Sequence, residues 1–139
     1  MPEPTTRSGS CLCGSITFTS QNVQPGIGAC HCGMCRKWTG GPLMAVDAGT
    51  EISFQNDDHI SVYNSSDWAE RGFCNQCGSH LFYRLKQTGQ MIMPLGLFDD
   101  TSGFVFDHQI FIDHKPDTYA FANETKEMTE AEVFAMYGG

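Results

Sequence analysis

A chain of 139 residues, 40% hydrophobic and 17% charged, can bury one modest core and is too apolar for intrinsic disorder. Its net charge of -8 and pI of about 4.8 exclude general affinity for nucleic acid or an anionic membrane, since both depend on basic surface. No apolar run approaches the ~20 residues that span a bilayer, and MPEPTTRSGS lacks a signal-peptide core, so the expected location is cytoplasmic, with the seven cysteines mostly reduced.

In chain order, residues 1–8 read as a flexible N-terminus and residues 9–139 as a single domain. Residues 16–19 (ITFT) alternate apolar and polar as a short strand does. Residues 43–48, 52–54 and 60–63 predict further strands, with Asn56-Asp57-Asp58 as the turn between the last two. Phe73 and residues 80–85, 91–98 and 104–112 continue the β pattern, interrupted at Thr88-Gly89 and at 99–103. Only the end reads as helix: Thr129-Glu130-Ala131-Glu132 fits a capping box, Val133, Phe134 and Met136 supply an apolar face, and Gly138 is the stop. The predicted class is mainly β, with one short C-terminal helix.

The cysteines fall into three groups: Cys11-Leu12-Cys13-Gly14, Cys30-His31-Cys32-Gly33-Met34-Cys35, and Cys74-Asn75-Gln76-Cys77-Gly78. One C-x-x-C is weak evidence, because redox pairs share the spacing; separated groups that sum to four ligands are stronger. Cys11, Cys13, Cys74 and Cys77 make a closed four-thiolate set that ties an early loop to a late one. Cys30, Cys32 and Cys35 remain, three ligands for an ion that prefers four. Either a histidine completes that shell, His31 being nearest and His80 able to reach in from elsewhere, or the fourth position stays open for water or substrate. The open position is the reading taken, because a central residue of an extended C-x-C segment points away from its neighbours.

Together, GSCLCG at 9–14, CHCGMCRKW at 30–38 and RGFCNQCGSHL at 71–81 resemble the glutathione-dependent formaldehyde-activating enzyme family, which shares a zinc-binding domain with centromere protein V. HQIFIDHK at 108–115 resembles a later family segment that is often followed by Trp; here Tyr119 stands near that point. The resemblance runs from about Gly9 to Phe121. It implies a β-tent fold and two Zn2+ per chain: one structural, on Cys11, Cys13, Cys74 and Cys77, and one labile or catalytic, on Cys30, Cys32 and Cys35. It also implies a carbon–sulfur lyase acting on glutathione, or another thiol, and an aldehyde such as formaldehyde, to form or handle S-hydroxymethylglutathione. The alternative is a non-catalytic zinc module that binds a protein partner. The pattern leaves room for a homo-oligomer. A dithiol redox protein using Cys32 and Cys35 fits less well, because Cys30 and the other groups favour metal ligation.

Around the second set, Arg36 and Lys37 either hold the thiol's carboxylates or offset thiolate charge. The second role is preferred, as is a supporting role for Arg71 at the structural set. Gly40-Gly41-Pro42 reads as a turn into the next strand, and His31 as a supporting residue rather than a ligand. His59, His108 and His114 read as structural or exposed. Met34 reads as loop filler, and Trp38, Trp68, Phe73 and Phe82 as core aromatics.

Overall fold

The computed structural model describes residues 3–136. Eleven strands and two α-helices follow one another along them: β1 (Thr5–Ser10), β2 (Thr17–Val23), β3 (Gly26–Cys30), α1 (Gly33–Thr39), β4 (Leu43–Gly49), β5 (Ile52–Gln55), β6 (Ile60–Tyr63), β7 (Ala69–Cys74), β8 (His80–Leu85), β9 (Met91–Pro94), β10 (Val105–Ile110), β11 (Lys126–Met128) and α2 (Glu130–Met136). The mainly β class is as the sequence predicts. The predicted helix stop, Gly138, lies outside the described residues. No helix among the described residues is long and apolar enough to cross a membrane.

The chain forms two compact units, and neither is continuous in sequence. The first takes residues up to Pro25 and Val46–Phe104. In it β1, β2 and β5 form an antiparallel sheet, and β6, β7, β8 and β9 pair antiparallel in succession. Phe18 is its aromatic hub: Phe98 meets it edge-on at 5.2 Å between centroids and Phe54 lies 6.0 Å away, itself 5.8 Å from the buried Phe82. Offset and edge contacts of this kind add to the area that the rings bury.

The second unit takes Gly26–Ala45 and Val105–Gly139. Here β10 pairs in parallel with both β3 and β11, and β3 pairs antiparallel with the start of β4. Cys30, Cys35 and Leu43 are buried together, with Trp38, Ile110 and Phe111 packed against them. Phe111 holds a left-handed backbone at φ 55, uncommon for a bulky residue, and so turns the chain sharply out of β10.

Three local expectations need correcting. The opening residues are not loose up to residue 8: from Thr5 they form β1, which is held without apolar alternation. Arg7 donates to the carbonyls of Asp100 and Ser102, both at 2.7 Å, and its guanidinium lies 3.9 Å from the Phe104 centroid. The strand read through 91–98 stops at Pro94, which has no amide proton for the ladder, and a 3-10 turn follows at Leu95–Leu97. Finally, α1 stands where no helix was predicted.

Candidate metal centres

The structure gathers all seven cysteines into the two predicted sets. Within each set the sulfurs lie within 4.8 Å of one another, and no other His, Cys, Asp or Glu among the described residues joins either one.

The quartet is built from two tight turns. In the first, the Gly14 amide donates to the Cys11 carbonyl at 3.1 Å and the Ile16 amide to Cys11 Sγ at 3.3 Å. In the second, the Gly78 amide donates to the Cys74 carbonyl at 2.8 Å and the Gln76 amide to Cys74 Sγ at 3.4 Å. Gly14 and Gly78 sit at φ +77 and +81, a conformation that costs glycine little and other residues more. Ser79 fastens one turn to the other: its hydroxyl takes the Leu12 amide at 3.0 Å and lies 3.2 Å from Cys77 Sγ. A hydrogen bond between the Ser15 hydroxyl and His59 Nδ1 anchors the first turn.

Sulfur separations test whether the quartet fits an ion. Zn–S bonds of about 2.3 Å set tetrahedral sulfurs about 3.8 Å apart. Cys11 and Cys13 are 3.6 Å apart, and Cys13 and Cys74 3.9 Å. Ionisation within the set is uneven. Hydrogen bonds from the Ser79 hydroxyl and amide bring Cys77 down to about 5, against burial. The Ser15 amide favours the Cys13 thiolate, yet burial and the other thiols carry Cys13 up to about 11. Four sulfurs this close cannot all carry charge without a cation, and a dication answers that need.

The trio sits at a strand end and a helix start. Cys30 closes β3; Cys32 caps α1, its sulfur accepting from the Cys35 amide at 3.3 Å; Cys35 lies in the first turn, buried. Gly40 ends the helix, and its amide donates to the Arg36 carbonyl at 2.8 Å. Hydrogen bonds with Cys32 and Cys35, then burial, push the Cys30 thiol far above the ordinary thiol range. This set also fits a soft dication, with one tetrahedral corner not filled by a protein ligand atom within the group.

His31 is fully buried and both its ring nitrogens are engaged, Nδ1 with the Tyr119 hydroxyl and Nε2 with Gln109 Oε1, each at 2.8 Å. It is therefore a supporting residue. Burial holds its pKa below the ordinary value; Gln109 favours its charged form, and Lys115 and Arg36 oppose it. His80 lies on β8, in the first unit. Arg36 donates from Nε to the His31 carbonyl at 2.9 Å. Arg36, exposed Lys37, Gly40, Gly41, Pro116, Thr118 and Tyr119 line a cleft of about 370 Å³. Burial raises the Tyr119 pKa; Arg36 draws it down and Cys30 adds to the rise, so the phenol feels both the cleft and the trio.

The remaining candidates are scaffold. Trp38 packs on the trio, Phe82 is core, and Trp68 is half exposed, its indole donating to the Tyr83 hydroxyl at 3.1 Å. Arg71 is buried, with its guanidinium 4.9 Å from the Tyr83 centroid. His108 pairs with Asp107 and His114 with Glu130. Gln109, Thr125 and Ser79 were not singled out from the sequence. Their only sequence signal is proximity to motifs, Ser79 following C-x-x-C-G and Gln109 lying inside HQIFIDHK.

The family model for the glutathione-dependent formaldehyde-activating enzyme matches residues 6–114. A Schizosaccharomyces pombe protein named as an uncharacterized lyase is 36% identical over 134 residues, 96% of each chain. A Rhodobacter sphaeroides crystal structure superposes with a TM-score of 0.54 at 16% identity, covering 66% of this chain and 87% of that one, a likeness of fold alone.

Proposed function

Because the chain belongs to the glutathione-dependent formaldehyde-activating enzyme family, we propose that it is a zinc-dependent carbon–sulfur lyase joining a thiol such as glutathione to an aldehyde such as formaldehyde. The observation that carries the reading is the trio of thiols with no fourth protein ligand atom in its group, its helix continuing into the cation-lined cleft. On this reading Cys11, Cys13, Cys74 and Cys77 hold a structural ion, while Cys30, Cys32 and Cys35 hold a second one and form the catalytic centre. Zinc bound by three thiolates supplies a Lewis-acidic corner that lowers the pKa of an incoming thiol.

The chain's own residues then bind and orient. Arg36 and Lys37 take the carboxylates of the thiol, Arg36 being steadied through Nε on the His31 carbonyl. In the net reaction the thiol loses its proton, its sulfur bonds to the carbonyl carbon, and the carbonyl oxygen gains a proton. The product is a 1-hydroxyalkyl thioether, and its reversal cleaves the same C–S bond. Holding two small molecules in one orientation supplies much of the acceleration.

The test is exchange NMR of formaldehyde with glutathione at matched concentrations, with and without the zinc-loaded protein. Faster exchange into the S-hydroxymethyl adduct, abolished when a mild chelator removes one metal equivalent, supports the reading. No acceleration with both sites loaded overturns the lyase and leaves a non-catalytic metal module.

A further inference from the structure

The hydrogen bonds behind the cleft run in one direction. Gln109 donates from Nε2 to the Thr125 hydroxyl at 2.9 Å, which turns its Oε1 toward His31. An amide oxygen only accepts, so His31 donates from Nε2, and its Nδ1 is left as the acceptor in the neutral ring. The remaining donor is the Tyr119 hydroxyl, 2.8 Å away. The two rings stack at 27° with centroids 5.5 Å apart, and Phe121 lies 6.2 Å from the imidazole, which together fix the phenol's placement. The Tyr119 proton is thus committed to His31, and Tyr119, itself a lining residue of the cleft, has only lone pairs left on its oxygen.

Two other lining groups, Arg36 and Lys37, have opposite polarity and bring positive charge. Lys115 Nζ lies 5.5 Å from the Tyr119 centroid while donating to the Pro116 and Tyr119 carbonyls. On the lyase reading, the adduct carries one hydroxyl that neither the thiol nor the aldehyde possesses.

Resting on that reading, we infer that Tyr119 is a specificity-determining residue whose phenol oxygen accepts the hydrogen bond of the adduct's hydroxyl. It distinguishes a 1-hydroxyalkyl thioether from a plain thioether of the same shape. The chain Thr125–Gln109–His31 sets the direction of that acceptor.

Two stable probes test this with the zinc-loaded protein: S-(2-hydroxyethyl)glutathione, and S-propylglutathione, which replaces the hydroxyl by a methyl of similar size. The wild type should bind the hydroxyl probe about tenfold tighter, the worth of one hydrogen bond at the upper end of its usual range. Tyr119→Phe, which keeps the ring stack, should abolish the preference while leaving S-propylglutathione binding within about twofold. Thr125→Val, remote from the ligand, frees the Gln109 amide to turn over and should shrink the preference with the fold intact. Equal loss for both probes in Tyr119→Phe, or no preference in the wild type, overturns the inference. Wild-type acceleration of adduct exchange alongside either result would leave the lyase reading standing, so the two fail separately.

Discussion

The quartet draws its sulfurs from two turns far apart along the chain, Cys13 and Cys74 being 61 residues distant, whereas the trio takes all three from the short run between Cys30 and Cys35. An ion in the quartet closes a long loop and, like any crosslink of that span, removes much of the freedom of the unfolded chain. An ion in the trio closes almost no loop. That site's shape comes instead from β3 pairing, the helix start at Cys32 and the packing of Trp38. The same side chain can therefore serve as a fastening in one place and as a replaceable fitting in another, depending on how much chain lies between the cysteines.

Paired substitutions should break the comparison most visibly. Cys77→Ser removes one thiol of the quartet; zinc in small peptides contributes on the order of 10 kcal/mol to folding, comparable with the whole stability of a domain. The variant should lack a cooperative melt by circular dichroism. Cys35→Ser should keep a cooperative melt, retain one zinc by elemental analysis and lose adduct exchange at least ~100-fold, as expected when an essential metal is removed. Two folded variants of equal metal content would erase the distinction.

A smaller effect sharpens the open side. Arg36→Gln should raise KM for glutathione about tenfold through loss of a charge-assisted contact, with kcat changed little, since the contact acts on ground and transition states alike. A fall in kcat at constant KM would place Arg36 in the chemistry instead.

The smallest effect is a control on side chains that belong to neither sulfur set. The Thr129 hydroxyl takes the Glu132 amide at 3.3 Å and the Thr129 amide donates to the Glu132 carboxylate at 3.0 Å, the reciprocal pattern read from the sequence. The Thr129 amide, then its hydroxyl, holds the Glu132 pKa below the ordinary 4.5. Because the folded pKa is the lower one, the stability from this pair is complete above 4.5 and declines as pH falls through the folded value. Thr129→Ala should lower the melting temperature by a few degrees, flatten that acid-side decline and leave both metal equivalents bound.

Where β-formers are bounded by turn residues, strands were legible: β6 and β8 begin and end as read. Elsewhere the reason for order lies in distant residues. In GIGAC of β3 the glycines break the apolar pattern, and the space above Gly26 and Gly28 is taken by side-chain atoms of Asp107 and His108 on β10. The seven residues of α1 offer only a short apolar face, Cys35 and Trp38 inward, and its ends are set by a sulfur cap and Gly40. The cysteine sets were readable because ligand spacing is local. The His31 contacts to Tyr119 and Gln109 span 88 and 78 residues, and no local pattern encodes them.

The parallel pairing of β3 with β10 bears on the order of assembly. A nascent chain emerges from its N-terminus, so Cys77, the last quartet ligand, leaves the ribosome before Val105 does. The fastening can therefore close cotranslationally, while the three upstream thiols of the other set wait for the strand that steadies Cys30. Topology thus staggers the two sets: the quartet's cysteines are all made before β10 begins, whereas the strand that pairs with β3 beside Cys30 is complete only at residue 110.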